Sequence, residues 1–177
     1  GNDANLGAVA EFVRGAATAT SSVVYLSGDV GVGGGVVLGG KVLAGGSGFA
    51  GELGHMVVNP TGEPCNCGSR GCWETEVGRD AIFSAVGFLP GQGSFSDLVA
   101  ESLTELTDIK RALSGVGEWV GVGLVNLMNS IDPNYIVLGG HLAEIYPYIS
   151  EVVDARIDQS RPNTQTRAHI SLPSLLL

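Results

Sequence analysis

Gly51-Glu52-Leu53-Gly54-His55, followed after nine residues by Cys65-Asn66-Cys67-Gly68-Ser69-Arg70-Gly71-Cys72-Trp73-Glu74, is the stretch on which the reading of this chain turns. All three cysteines of the protein lie between positions 65 and 72, and a histidine stands ten positions before the first of them. Three thiolates and one imidazole make a full tetrahedral set for Zn²⁺, and a set with no open position is structural, not catalytic. Three free thiols beside a core histidine, or a nucleophilic Cys72, are the other readings. Clustering at this density favours the metal. A metal on one nitrogen of His55 leaves the other N–H needing an acceptor, which a ligand hydroxyl can supply. Glu52 and Glu74 flank the set, so the run reads as a metal knuckle holding two acids and a histidine beside a polar ligand.

Composition bounds what surrounds the knuckle. The chain of 177 residues is long enough for one domain with a sizeable core, and 44% hydrophobic with 15% charged residues describes a folded chain. The net charge of −9 works against a direct grip on nucleic acid, which needs a basic face. No apolar run is long enough to span a membrane and no signal peptide is evident. An odd, tightly clustered cysteine set points away from a disulfide framework and towards a reducing, cytoplasmic setting. Both ends read as cut, with Asn2-Asp3 starting inside a motif and Ala168 to Leu177 breaking off in an apolar segment, so a piece of a longer protein is expected.

Along the chain, the spacing predicts a helix from Asn2 or Asp3 to Arg14 and a central strand over Ser22–Ser27. A hairpin follows, with Val36–Leu38 and Lys41–Leu43 turning at Gly39-Gly40, since glycines supply positive φ at both turn positions. Gly45 to Gly51 is a loop, Met56–Val58 a strand, and Pro60 to Gly71 the cysteine loop. Helices are expected over Asp80–Phe88 and Phe95–Ser102, and over Thr104–Ser130. Apolar spacing in the last serves the core in preference to a dimer face. Tyr135–Leu138 is a buried strand, Leu142–Ser160 a helix and Ala168–Leu172 a final strand. This order gives an α/β domain with a mixed sheet and no internal repeat.

Three further motifs carry chemistry. Asp3, in Asn2-Asp3-Ala4-Asn5, can cap a helix or accept a hydroxyl proton. Ser27 to Gly35 is a glycine-rich turn that can cradle phosphate or simply close a hairpin. Ile136 to Gly140 ends a strand with Gly139-Gly140, the end at which α/β sheets bind ligands, or an ordinary strand exit.

Taken in order, these motifs and the cysteine–histidine run resemble the ROK family (repressors, open reading frames and sugar kinases) over nearly the whole chain. The resemblance implies an actin-like, ribonuclease-H-like α/β lobe with a zinc loop at 55–74. Residues 1–177 would then be a single C-terminal lobe, with an N-terminal lobe and any DNA-binding domain outside this chain. It implies zinc on His55, Cys65, Cys67 and Cys72. It also implies sugar contacts from Asn2, Asp3, Glu52, His55 and Glu74, with Asp3 facing the reactive hydroxyl in kinases, and a nucleotide loop built from Gly31, Gly33, Gly34, Gly139 and Gly140. One departure matters. Kinase members read Gly-Thr-Gly-x-Gly-Gly-Gly in that loop, and here Asp29 and Val30 stand at the first glycine and the threonine. Val30 has no hydroxyl for a phosphate oxygen, and Asp29 adds a charge of the wrong sign, costing several kcal/mol by order of magnitude in a partly dry site. The expectation is therefore a sugar-sensing effector lobe of a transcriptional regulator, taking a hexose or amino-sugar, self-associating, and reaching DNA only through a domain outside this chain. The alternative is an ATP- and Mg²⁺-dependent sugar kinase. No kinase activity is expected of this chain alone.

Overall fold

The computed structural model describes residues 3–15, 17–18, 20–88, 106–160 and 167–173. Helix α1 (Asp3–Arg14) leads into β1 (Ser22–Gly28), β2 (Val32–Leu38) and β3 (Lys41–Val42). A 3₁₀ turn (Leu53–His55), then α2 (Trp73–Val77) and α3 (Arg79–Ala85), carry the knuckle region. The remainder is α4 (Leu106–Ala112), α5 (Ser114–Ile131), β4 (Tyr135–Gly140), α6 (His141–Ser160) and β5 (His169–Ser171).

The strands form one mixed sheet in the order β3-β2-β1-β4-β5. The β1–β2–β3 half is antiparallel, and β4 and β5 join it in parallel. β1 is central, and its Val23, Val24 and Leu26 are fully buried, which is why it reads as an unbroken apolar run. Asn134 ties the lower ends of three strands together. Its side-chain oxygen accepts from Ser21 and Ser22 at 3.1 and 2.9 Å, and its carbonyl accepts the His169 N–H at 2.9 Å.

Helices cover both faces. On one, α1 packs Ala4 and Ala8 against Val23, Tyr25, Val37 and Val137. On the other, α5 and α6 bring Val120, Leu124, Leu127, Ile145 and Ile149 onto Leu26, Ile136 and Leu138. Gly117 and Gly121 let those two helices approach closely, since a Cβ at Gly121 would lie 2.7 Å from Arg156 Cβ. The apolar stripe of α5 thus belongs to the core, as its spacing predicts.

Several expectations are corrected. Met56–Val58 is not a strand, because Val57 makes a lone bridge to Cys72 while the chain turns about the knuckle. β2 begins at Val32, so Gly33, Gly34 and Gly35 lie in a strand and the turn itself is only Asp29 to Gly31. The helix expected over Thr104–Ser130 is two among the described residues, divided at Leu113, where Ser114 Oγ donates to the Arg111 carbonyl at 2.8 Å. A five-residue α2 stands where no helix was expected. The helix placed at Phe95–Ser102 lies outside the described residues. Among those residues, no helix is long and apolar enough to cross a membrane.

Candidate functional site

The site is held by glycines that thin β2 on both sides. Side chains alternate across a strand, so Gly33 and Gly35 face one way and Gly34 the other. α1 rests on the first face, where a Cβ at Gly35 would come 2.2 Å from the Ala4 carbonyl oxygen. The Gly51–His55 turn rests on the second, where a Cβ at Gly34 would come 2.6 Å from both the Gly51 oxygen and Leu53. Gly54 closes the fit, since a Cβ there would meet the Val32 oxygen at 2.1 Å. The three glycines therefore bring the start of α1, with Asp3, and the 3₁₀ turn, with Glu52 and His55, to the same end of the strand.

The knuckle is shaped by backbone bonds. The Val58 N–H donates to the Gly71 carbonyl at 2.9 Å, Trp73 N–H to Met56 at 2.8 Å, and Cys65 N–H to Ser69 at 2.8 Å. Gly68 and Gly71 take φ of 91° and 68° to make the turns. The outcome gathers His55, Cys65, Cys67 and Cys72, whose ligand atoms all lie within 4.8 Å of one another. Cys67 Sγ and Cys72 Sγ are 3.6 Å apart, and Cys65 Sγ is 3.7 Å from His55 Nδ1. A tetrahedron with Zn–S bonds of about 2.3 Å sets its sulfurs about 3.8 Å apart. The donor types and the spacing both fit a metal ion held by these four residues.

His55 bridges knuckle and cleft. Its Nδ1 faces the thiols and lies 3.4 Å from Glu74 Oε1, while Nε2 turns to Glu52 Oε2 at 4.0 Å, too long for a direct hydrogen bond. Without metal, the Cys65 thiol donates to Glu74 Oε1 at 2.9 Å, and that bond to a carboxylate pushes its pKa up to about 12. Cys67 is exposed, and the Ser69 backbone N–H, then the Cys65 thiol, lower its pKa. Burial raises that of Cys72.

Asp3, Glu52, His55 and Glu74 line a single cleft of about 390 Å³, together with the Asp29–Val32 turn. Four of the five expected sugar contacts are thus brought together, and Asn2 lies outside the described residues. Of the expected nucleotide-loop glycines, Gly31 and Gly33 line this cleft, while Gly34 packs on the 3₁₀ turn. Gly139 and Gly140 pair with Ser27 and Gly28 of β1, and a Cβ at Gly140 would meet the Gly28 oxygen at 1.8 Å. Gly140 also borders an adjoining cleft of about 420 Å³ with Asp3, Asp29, His141 and Glu144. The His141 ring nitrogen is bonded to the Asp29 carbonyl. Ser27 opens the glycine-rich stretch singled out from sequence, whereas His141 and Glu144 were not foreseen as cleft residues. The signal available was their place at the carboxyl ends of adjacent parallel strands, with Glu144 one helical turn beyond His141.

Sheet order, two-faced helix packing and a cleft at the strand ends define an actin-like α/β lobe carrying a Cys₃His cluster. The chain belongs to the ROK family, whose profile matches residues 1–173. It is 32% identical over 177 residues to the xylose repressor of Bacillus subtilis, covering 99% of this chain and 46% of that one. Among solved structures, it superposes with a TM-score of 0.82 on a ROK family transcriptional regulator homologous to the Escherichia coli Mlc protein, at 25% identity, covering 98% of this chain and 47% of that one. The ROK hexokinase from Thermus thermophilus matches with a TM-score of 0.79 at 30% identity, over 98% of this chain and 59% of that one. This chain thus spans about half the length of the curated relatives it matches.

Proposed function

We propose that this chain is the sugar-binding effector lobe of a ROK-type transcriptional regulator. The observation that carries the reading is the contrast between two neighbouring clefts. The first offers the carboxylates of Asp3, Glu52 and Glu74 with the imidazole of His55. Ionised carboxylates are acceptor-only groups and suit the hydroxyl donors of a sugar. The 4.0 Å gap between His55 Nε2 and Glu52 leaves both groups available to a ligand hydroxyl. The second cleft, where a nucleotide's phosphates would approach the Gly140 end of β4, is lined by Asp3, Asp29 and Glu144, with no lysine or arginine among its described lining residues. Three carboxylates repel phosphate. Likeness to the xylose repressor and to the Mlc-like regulator supports the same reading.

In this reading the metal is zinc on His55, Cys65, Cys67 and Cys72, a closed set whose contribution is to fold the glycine-rich loop and fix the spacing of Glu52, His55 and Glu74. The effector is a hexose, pentose or amino-sugar, bound between this lobe and the rest of a longer protein. Its preference for one arrangement of the two shifts the affinity of a DNA-binding domain for its operator. The regulator works in the reducing cytoplasm as a homo-oligomer. To test this, the full-length protein is titrated with glucose, xylose and N-acetylglucosamine while binding to an operator selected from genomic fragments is followed. At least one sugar is expected to change operator affinity several-fold; no change with any of them would overturn the reading.

The second reading, an ATP-dependent sugar kinase with Asp3 as the base, draws on the fold shared with the Thermus thermophilus hexokinase. It requires sugar-dependent ATP turnover by the full-length protein, which the acidic lining of the second cleft argues against.

A further inference from the structure

The cleft that holds Asp3, Glu52 and His55 does not end at Glu74. Beyond that carboxylate lies another cavity, of about 500 Å³, bounded by Glu63, Pro64 and Asn66 of the knuckle on one side and by Asp80 and Ser84 of α3 on the other. Val30, Gly31 and Glu74 line both spaces. The partition is thin for a specific reason. A Cβ at Gly31 would come 2.4 Å from Glu74 Oε2, so a glycine is what allows the carboxylate to lie against the turn in the wall between the two spaces. Oε1 points to His55 and Cys65. Val30 stands at the shared edge with 75% of its surface exposed, an apolar side chain between two polar hollows. The far cavity has the chemistry of the near one: carboxylates from Glu63 and Asp80, hydroxyls from Thr75 and Ser84, an amide from Asn66, and no lysine or arginine among its described lining residues. Such a lining accepts hydroxyl donors and rejects phosphate or carboxylate substituents.

We propose, resting on the sugar-lobe reading above, that the effector is a disaccharide or other neutral glycoside. One ring occupies the Asp3–Glu52–His55–Glu74 cleft and the second unit the Glu63–Asp80–Ser84 cavity, with the apolar face of the linkage over Val30. Glu74, in the wall, is then the one side chain among the described residues able to accept hydroxyls from both units. This gives Val30 a use that a phosphate-binding threonine would not serve.

The experiment is calorimetric titration of the full-length protein with matched pairs: glucose with cellobiose and maltose, xylose with xylobiose, and N-acetylglucosamine with chitobiose. At least one disaccharide is expected to bind tenfold or more tightly than its own monosaccharide. Ser84→Trp, an exposed position whose larger side chain fills the far cavity, is expected to erase that advantage while leaving monosaccharide affinity within twofold. Asp80→Asn is expected to reduce the advantage several-fold. If a monosaccharide binds and no matched disaccharide binds more tightly, the glycoside inference falls and the sugar lobe stands. A disaccharide preference that survives Ser84→Trp overturns the placement of the second unit. Absence of binding by every sugar of both kinds removes the sugar-lobe reading and this inference with it.

Discussion

Gly123 and Gly115 sit on the same helix, α5, and an alanine at each is expected to act with opposite sign. A Cβ at Gly123 would lie 2.0 Å from Trp73 Cε2 and 2.2 Å from Cζ2, inside the indole ring's contact surface. Trp73 has no solvent exposure, and its Nε1–H donates to the Trp119 carbonyl at 2.8 Å, so the ring has no free direction in which to yield. Overpacking a tight core costs about 1–3 kcal/mol. If the ring shifts far enough to lose its hydrogen bond, the orphaned buried donor adds about 1–3 kcal/mol. Helix propensity returns about 1 kcal/mol, which leaves Gly123→Ala destabilised by up to about 2 kcal/mol with the hydrogen bond kept and by roughly 1–5 kcal/mol with it lost. At Gly115 nothing lies within 4 Å of the added methyl. Gly115→Ala should therefore keep only the propensity gain, up to about 1 kcal/mol. Urea denaturation followed by circular dichroism and by tryptophan fluorescence reads both changes against the parent chain. Because Trp73 lies between Cys72 and Glu74, its displacement should also weaken metal binding, by roughly tenfold or more, as loss of a ligand's supporting contacts does. Gly123→Ala with parental stability and metal affinity would refute the argument that α5 fixes the knuckle through this ring.

Metal analysis of a folded preparation made without chelators should give about one zinc per chain, as one complete ligand set requires; Cys67→Ala should unfold the 60s loop and abolish sugar binding, and normal sugar affinity in that variant would contradict the coupling. In metal-free protein, Cys67 should be alkylated before Cys65 and Cys72, because it is exposed and its pKa is lowered, and bound metal should protect it; mass spectrometry of partially labelled chain decides. Cys65 is raised from its ordinary value of 9.0 to about 12. Its protonated form therefore supports the metal-free fold below pH 9, and that support is lost as pH rises from about 9 to 12. Metal must displace this proton, so affinity measured against a chromophoric chelator should fall as pH is lowered from 8 to 6; a flat profile would count against thiolate ligation.

The knuckle was legible in the sequence because metal chemistry demands particular residue types at short spacing, and His55, Cys65, Cys67 and Cys72 do come together. Strands β1 and β4 were legible because burial on both faces leaves an unbroken apolar run. Gly33 to Gly35 misled. Glycine runs usually mark turns, and nothing local tells that these three flatten a strand so that α1 and the 3₁₀ turn can approach opposite faces. Met56–Val58 has strand composition, but its backbone bonds go to the knuckle and leave no ladder to extend. The anchoring of Trp73 by α5 could not be read, because Gly123 and Trp73 meet only in the folded chain. The same holds for Asp3, Asp29, His141 and Glu144, gathered by the parallel pairing of β1 with β4.

That parallel pairing also fixes an order of events at the ribosome. The Ser22 and Asn134 side chains that lock the foot of β1 to β4 are 112 residues apart. At about 5–20 residues per second, β1 emerges roughly 6–22 s before its parallel neighbour exists. During that interval its apolar edge is open to other nascent chains. The knuckle needs no such wait, since its four ligands span only His55 to Cys72. Metal capture can thus precede closure of the sheet, anchoring the Gly51–His55 turn on the glycine face of β2 and giving the antiparallel half an early fixed point on which β4 later docks. On the zinc reading proposed above, metal supply during translation, more than supply to the finished protein, would set how much of this chain escapes aggregation.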